Sequence, residues 1–339
     1  MQRFAPEKKE VTADSSTKRI FDLVADELRL VEAEFERQAA SNIQVINYLG
    51  DYLRASGGKR VRPALLVLAN YAVGGDGNNE SVIRLATVME MLHTATLVHD
   101  DIIDNADLRR NRASVNAKYG NQTAVLMGDW LYMSAYETSL RERSLEILDI
   151  LTRLTRRMTE GELIQLTMIG NIDISENDYF DILRRKTAYL FSACCEVGTI
   201  LADADHAQQN ALRDYGLDLG IAFQLADDLL DITSETDALG KVAGSDLIEG
   251  KLTLPLIYLL NEEPSLRSSF ERVMLDGGYV NFTRKELRDR LAERGIIERI
   301  RNRANDFAKR AIKNLEFLPQ TEYRSALEDI PNFVVDRRM

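Results

Sequence analysis

Residues 97–110 read LVHDDIIDNADLRR, and the rest of the chain is organised around them. Asp100, Asp101, Asp104 and Asp107 follow directly on a long apolar helical pattern. On a helix, Asp100 and Asp104 lie one turn apart on one face, and Asp101 reaches Asp104 at i+3. No Gly or Pro interrupts the run from Glu80 to these aspartates, so the trio projects from the C-terminal end of a helix. Carboxylates there face one another and the negative end of the helix dipole. Such a cluster is unfavourable until a cation joins it.

A second copy lies far downstream. Residues 223–231, FQLADDLLD, present Asp227, Asp228 and Asp231 at the same spacing. One DDxxD is weak in a chain that is 29% charged, because acidic clusters mostly solvate a helix face. Two copies, each closing an apolar helix, suggest two acidic mouths facing each other across one cavity. Six aspartates without a His or Cys motif make a hard-oxygen environment, which favours Mg²⁺ or Mn²⁺ over Zn²⁺. Neither trio has the loop of an EF-hand. Mg²⁺ keeps several waters and completes its shell with substrate phosphates, so the trios point to a phosphorylated ligand bridged by metal.

The chain has 339 residues, of which 45% are hydrophobic, enough for a substantial core. No proline occurs between Pro63 and Pro255, and no Ser/Gly/Pro-rich linker divides that segment. This favours one large helical domain over 17–339, preceded by a flexible arm at 1–16. A net charge of −11 argues against nucleic acid or an anionic membrane as the main partner. The only cysteines, Cys194 and Cys195, are adjacent in a helical pattern and read as core packing in a reduced, cytoplasmic protein. The polar start lacks the apolar core of a signal peptide, and no run of 18 apolar residues suggests a membrane span.

Taken in order, the pattern predicts helices from Ser16 or Thr17 to about Gln38, over 42–55, from Arg62 to Val73, and from Glu80 to about Asn105. A basic, polar connection follows at 106–120. Further helices are expected over 121–141, 144–169 and, behind a Ser175/Asp178 capping box, to about Leu201. The helix over 207–232 ends in the second trio, and a loop rich in Gly, Ser and Asp spans 233–250. The remainder is helical too, with a second capping box at Thr283/Glu286. No run of alternating strand residues appears, so the fold class is all-α.

Basic residues flank the acidic motifs. GGKRVRP (57–63) carries Lys59, Arg60 and Arg62; Arg109 and Arg110 follow the first trio; Lys186-Thr187 lie mid-helix; Lys241 and Lys251 follow the second trio. In this order GGKRVRP, LVHDDIIDNADLRR, KT, FQLADDLLD, LGK and GKLTLP resemble the trans-isoprenyl diphosphate synthases, over nearly the whole chain beyond the arm. The resemblance implies the isoprenoid synthase fold, a helical bundle around a central cavity. There several Mg²⁺ ions, replaceable by Mn²⁺, bridge both motifs to an allylic diphosphate such as farnesyl or geranylgeranyl diphosphate. By the same resemblance Asp100, Asp101, Asp104, Asp227, Asp228 and Asp231 face the metal. Arg109, Lys186 and Lys241 hold the allylic diphosphate, while Lys59, Arg62, His93 and Arg110 hold isopentenyl diphosphate. Thr187 and Gln224 line the reacting carbons, Lys251 matches a family lysine, and Arg337 or Arg338 would help close the basic pocket. The resemblance also implies a homodimer.

Residues four and five before Asp100, Thr96 and Ala95, lie about one turn, roughly 5.4 Å, deeper on the same helix. Short-chain family members place aromatic residues there as a floor, so a small pair predicts a long-chain product, octaprenyl or near it, handed to a membrane as a quinone side chain. Trp130, Leu131, Tyr132, Met133 and Tyr136 are candidates for a deeper floor. The alternatives are a geranylgeranyl synthase and the catalytic subunit of a heteromeric synthase. A terpene cyclase is disfavoured by the second DDxxD and by GGKRVRP, and a non-catalytic partner subunit by the two intact motifs.

Overall fold

Asn79 starts the helix on which the site is built. Its side chain accepts from the Ser81 backbone N–H at 2.9 Å, and the helix runs from Glu80 to Ile103. Fourteen of its 24 residues are buried, on every side, which is the signature of a helix enclosed by neighbours. The Thr87 and Thr94 hydroxyls return to the carbonyls of Ile83 and Glu90, so the polar residues cost the apolar run little. By length and composition alone this helix is apolar enough to cross a membrane, but most of it is packed inside the protein.

The computed structural model describes residues 19–40, 43, 46–47, 60–109, 112–234 and 244–336. The arm at 1–16, most of the helix expected over 42–55, and Lys59, Arg110, Lys241, Arg337 and Arg338 lie outside the described residues. In chain order the helices are α1 (Ala25–Ala39), α2 (Val61–Ala72), α3 (Glu80–Ile103), α4 (Val115–Tyr119), α5 (Asn121–Ser139), α6 (Leu145–Met168), α7 (Glu176–Leu183), α8 (Tyr189–Ile200) and α9 (His206–Thr233). They continue as α10 (Ser245–Ile248), α11 (Leu254–Glu262), α12 (Arg267–Asp276), α13 (Arg284–Glu293), α14 (Ile296–Lys313) and α15 (Glu322–Val335). The fold is all-α, as the sequence predicts.

The capping boxes at Ser175/Asp178 and Thr283/Glu286 are both present, and Asp205/Gln208 forms a third at the start of α9. Several segments differ from expectation: a turn at 23–24 breaks the first helix before α1, the loop expected over 233–250 contains α10, and two further stretches take other forms. The connection at 106–120 folds into an antiparallel hairpin of two-residue strands, β1 (Leu108–Arg109) and β2 (Arg112–Ala113), followed by α4. Strands this short leave no alternation to read. The helix expected from 176 to 201 is interrupted at Arg184–Ala188 by a π-helical turn between α7 and α8. Such turns widen a helix by one residue and are frequent at functional sites.

Two apolar clusters form the core. One gathers α2, α3, α5 and α8, and includes the free, buried Cys194 and Cys195; the other gathers α7, α9, α11, α13 and α14. Helix α9 contributes to both. Its approach to the segment before it is close: a Cβ at Gly216 would lie 2.6 Å from the Phe191 carbonyl oxygen, and one at Gly220 2.6 Å from the Ala188 Cα. Ala188 neighbours Thr187, and Gly220 is one turn from Gln224. Gly220→Ala should therefore destabilise the chain by about 1–3 kcal/mol through overpacking. It should also separate Thr187 from Gln224; thermal unfolding and turnover of the variant, measured together, check both effects.

Candidate active site

A cavity of about 440 Å³ opens among α3, α6, α7, α9 and residues 246–253. Asp100 from the end of α3 and Asp227 and Asp228 from the end of α9 line it together. The two acidic motifs thus share one space. Arg62, His93, Arg109, Lys186 and Lys251 contribute to the same wall, and Met158, Leu183, Leu190 and Phe223 supply apolar lining from both core clusters.

The first motif is held against cations. The β1–β2 hairpin turns Arg109 back onto Asp101, which is 3% exposed; Arg109 Nε donates to both carboxylate oxygens at 2.8 and 2.7 Å, and Nη2 donates at 2.6 Å. Burial by itself would lower the Arg109 guanidinium's pKa, but Asp101, followed by Asp100 and Asp104, raises it overall. Asp104 accepts from Lys251 Nζ at 2.8 Å, and the same ammonium donates to Glu249 at 2.8 Å. Lys251 follows the second motif, so this ion pair ties the two halves of the site together. Among the described residues Asp100 has no such counter-charge in direct contact. Burial pushes its pKa from 3.8 up to about 6, with Glu162 and Asp104 adding to the rise and Lys186 and Arg109 opposing it.

The second motif sits in a hydrogen-bonded frame. Asp228, 4% exposed, accepts from the Tyr179 hydroxyl on Oδ2 and from Gln224 Nε2 on Oδ1 at 2.9 Å. Thr187 donates to Gln224 Oε1 at 2.9 Å. Burial pushes Asp228 up to about 7, against the two hydrogen bonds and with the charges of Asp227 and Asp231. Asp231 accepts from the Ser245 hydroxyl at 3.3 Å and the Asp246 backbone N–H at 3.5 Å, which brings residues 245–246 against the motif. Asp246 is itself a cavity residue, and burial raises its carboxyl well above the ordinary range.

The basic residues divide. Lys186, raised into the cavity by the π turn, pairs with Glu162 and Gln165 of α6. Arg62 reaches the cavity with its guanidinium carbon 5.0 Å from the centre of the Phe191 ring, and His93 lines it from α3. Arg60 turns to Glu90 at 2.9 Å instead. Among the expected chain-length residues, Thr96 lines the main cavity and also a second one of about 130 Å³, whose wall includes Tyr132. Ala95 and Leu131 are fully buried in the core, and Trp130 packs against it. Sequence reasoning missed Tyr179, Glu162, Gln165 and Asp246, which carry no motif of their own.

Among the described residues no three His, Cys, Asp or Glu side chains form a ready-made metal cage. The carboxylates are spread over opposing walls instead, a donor set suited to a hard cation that keeps waters and takes phosphate oxygens. Asp100 and Asp228, both held above their ordinary pKa by burial, are groups whose charge such a cation would relieve.

A model of the family described as Polyprenyl synthetase matches residues 43–278. The chain belongs to the polyprenyl synthetase family. Members of this family are prenyltransferases, and this chain is one. It is 38% identical to the octaprenyl diphosphate synthase of Escherichia coli over 319 residues, which covers 94% of this chain and 98% of that protein. The crystal structure of a polyprenyl synthase from Caulobacter crescentus, complexed with calcium and isoprenyl diphosphate, matches with a TM-score of 0.90 at 36% identity, over 98% of this chain and 100% of that one. A decaprenyl diphosphate synthase from Rhodobacter capsulatus matches with a TM-score of 0.88 at 33% identity, over 95% and 99%.

The raised pKa of Asp100 has a direction that stability measurements can read. The folded chain binds a proton there more tightly than the unfolded chain, so this term stabilises at low pH and is lost as pH rises from about 4 through about 6. Asp100→Asn removes the penalty. The metal-free variant should gain on the order of 1–3 kcal/mol at pH 7.5 and show a flatter melting temperature between pH 4 and 6, as followed by thermal unfolding in EDTA.

Proposed function

We propose that this chain condenses isopentenyl diphosphate, head to tail, with an allylic diphosphate such as farnesyl or geranylgeranyl diphosphate, making a long-chain all-trans polyprenyl diphosphate near octaprenyl in length. The observation that carries this reading is the single cavity in which aspartates from two distant helix ends meet basic side chains above an apolar lining. Sequence similarity to octaprenyl and decaprenyl diphosphate synthases supports the long product. The aspartates suit several Mg²⁺ ions, with Mn²⁺ able to replace them.

Bound Mg²⁺ supplies Lewis-acid stabilisation of the diphosphate leaving group. Arg109, Lys186 and Lys251, with Lys241, hold the allylic diphosphate so that its C–O bond breaks with charge already compensated. Arg62 and His93, with Lys59 and Arg110, hold isopentenyl diphosphate beside it. The oxygens of Thr187 and Gln224 face the allylic carbon as positive charge develops, and the isopentenyl double bond attacks that carbon. The new C–C bond leaves a tertiary cation, and the departing diphosphate takes the proton that restores the alkene, so no protein base is required. Leu190, Phe223 and Met158 exclude the water that would quench the cation to an alcohol.

The protein acts as a homodimer in this reading. Leu126, Met133 and Leu140 recur every seven residues along α5 and its end, exposed by 68%, 62% and 49%, and Leu145 at the start of α6 is 82% exposed. A row of this kind fits a second copy of the chain. The enzyme is cytoplasmic and hands its apolar product to a membrane for a quinone side chain.

Three expected outcomes test the reading. With farnesyl and isopentenyl diphosphates, mass spectrometry of products from the purified chain should show chains near forty carbons; farnesyl diphosphate as the dominant product from a shorter primer would refute the long-chain reading. Asp100→Ala or Asp227→Ala should cut turnover at ordinary Mg²⁺ by about a hundredfold or more. Thr96→Phe, which places a ring on the cavity wall without overfilling the core as Ala95→Tyr would, should shorten the product; an unchanged distribution would remove Thr96 from the path of the tail.

A further inference from the structure

We propose that Tyr179 is a positioning residue, whose hydroxyl fixes the Asp228 carboxylate and, through Gln224, sets the direction in which the Thr187 hydroxyl faces the reacting carbons. The inference rests on the reading of the cavity as a prenyl-transfer site and adds to it a residue outside the recognisable motifs.

The argument is one of donors and acceptors. The ionised Asp228 carboxylate only accepts, and each of its oxygens is met by a donor: Tyr179 OH on Oδ2 and Gln224 Nε2 on Oδ1. With its amide nitrogen committed to Asp228, Gln224 must turn Oε1 the other way, and there it meets Thr187 Oγ1 at 2.9 Å. An amide oxygen cannot donate, so Thr187 gives up its single hydroxyl proton to Gln224. The remaining lone pairs of the Thr187 oxygen are then the part of the group left to face the cavity that Thr187 and Gln224 both line. An oxygen lone pair stabilises a developing carbocation and a hydroxyl proton opposes it. The sense of the chain, phenol to carboxylate, amide to carboxylate, hydroxyl to amide, decides which of the two the substrate meets.

Tyr179 is the end of that chain with the fewest alternatives. It is 7% exposed, sits in the first turn of α7 directly after the Ser175/Asp178 capping box, and is braced edge-on by Phe180 with ring centres 5.3 Å apart. Eight residues of regular α-helix would leave Tyr179 and Thr187 about 80° apart around the axis. The π turn at Arg184–Ala188 unwinds the segment by about one residue and brings both side chains to α9. Without the phenol, Asp228 Oδ2 is a buried acceptor lacking its donor. The carboxylate then rotates to recruit another, which frees the Gln224 amide to flip and the Thr187 proton to turn toward the substrate.

The test is Tyr179→Phe in the full-length protein, with Tyr258→Phe as a control whose hydroxyl meets Glu176 at 3.1 Å away from the cavity. The expected result is a kcat lower by about ten- to a hundredfold, with the KM for farnesyl diphosphate changed by less than about threefold, and no change in the control. In a Thr187→Val background, Tyr179→Phe should cost much less than it does alone, because both act through one hydrogen-bond chain. A readout apart from turnover is Mg²⁺ binding in the presence of inorganic pyrophosphate by calorimetry, which Tyr179→Phe should weaken and Tyr258→Phe should not. An unchanged kcat, fully additive penalties in the double variant, or loss of folding in Tyr179→Phe would each overturn the proposal. Absence of prenyl transfer by the wild-type chain would instead refute the functional reading, and the calorimetric comparison would still decide whether Tyr179 governs Asp228.

Discussion

Carboxylates held out of water are the constraint on which the rest of the structure depends. An unpaired charge in such surroundings costs several kcal/mol, and a pair recovers that cost only with good geometry. The chain meets the problem unevenly. Asp101 is matched by the fork of Arg109 and Asp104 by the ammonium of Lys251, whereas Asp100 and Asp228 keep carboxyls displaced upward by burial. Arg109, Lys251 and Lys186 are each already paired with a carboxylate, so acid outnumbers base and Asp100 and Asp228 are left without a matching cation in direct contact among the described residues. A divalent cation would relieve the surplus, and an anion it brought along would compete for the guanidinium of Arg109 and the ammonium of Lys251.

The scaffold exists to keep these groups at helix ends while everything beneath them stays apolar. Helix α3 is buried on all sides and delivers Asp100 at its last turn; α9 is notched by Gly216 and Gly220, which lets it approach the 188–192 segment at backbone distance. The π turn is the third device. A regular helix through Arg184–Ala188 would carry either Tyr179 or Thr187 away from α9, and the chain accepts a locally poorer hydrogen-bond geometry to present both. Rigid packing below and polar order above are thus two consequences of the same helices.

An apolar lining under a charged rim also suits the chemistry of an ionising allylic substrate. The rim compensates the leaving anion, and the lining denies water to the cation. The row of Leu126, Met133 and Leu140 belongs to neither region, because these side chains stand exposed on the surface.

What the sequence by itself determined was everything written in local periodicity and composition. The two aspartate trios, the apolar run of α3, the capping boxes at Ser175 and Thr283, and the absence of strand alternation are each contained within a few turns of chain, and each is found where it was read. The tertiary structure alone decided which charges are partners. Arg109 with Asp101, Lys251 with Asp104 across 147 positions, and Tyr179 with Asp228 across 49 depend on how helices pack, which no local pattern encodes. It also decided that Thr96 faces a cavity while its neighbour Ala95 faces the core, because adjacent residues on a helix point about 100° apart and only packing says which direction is open.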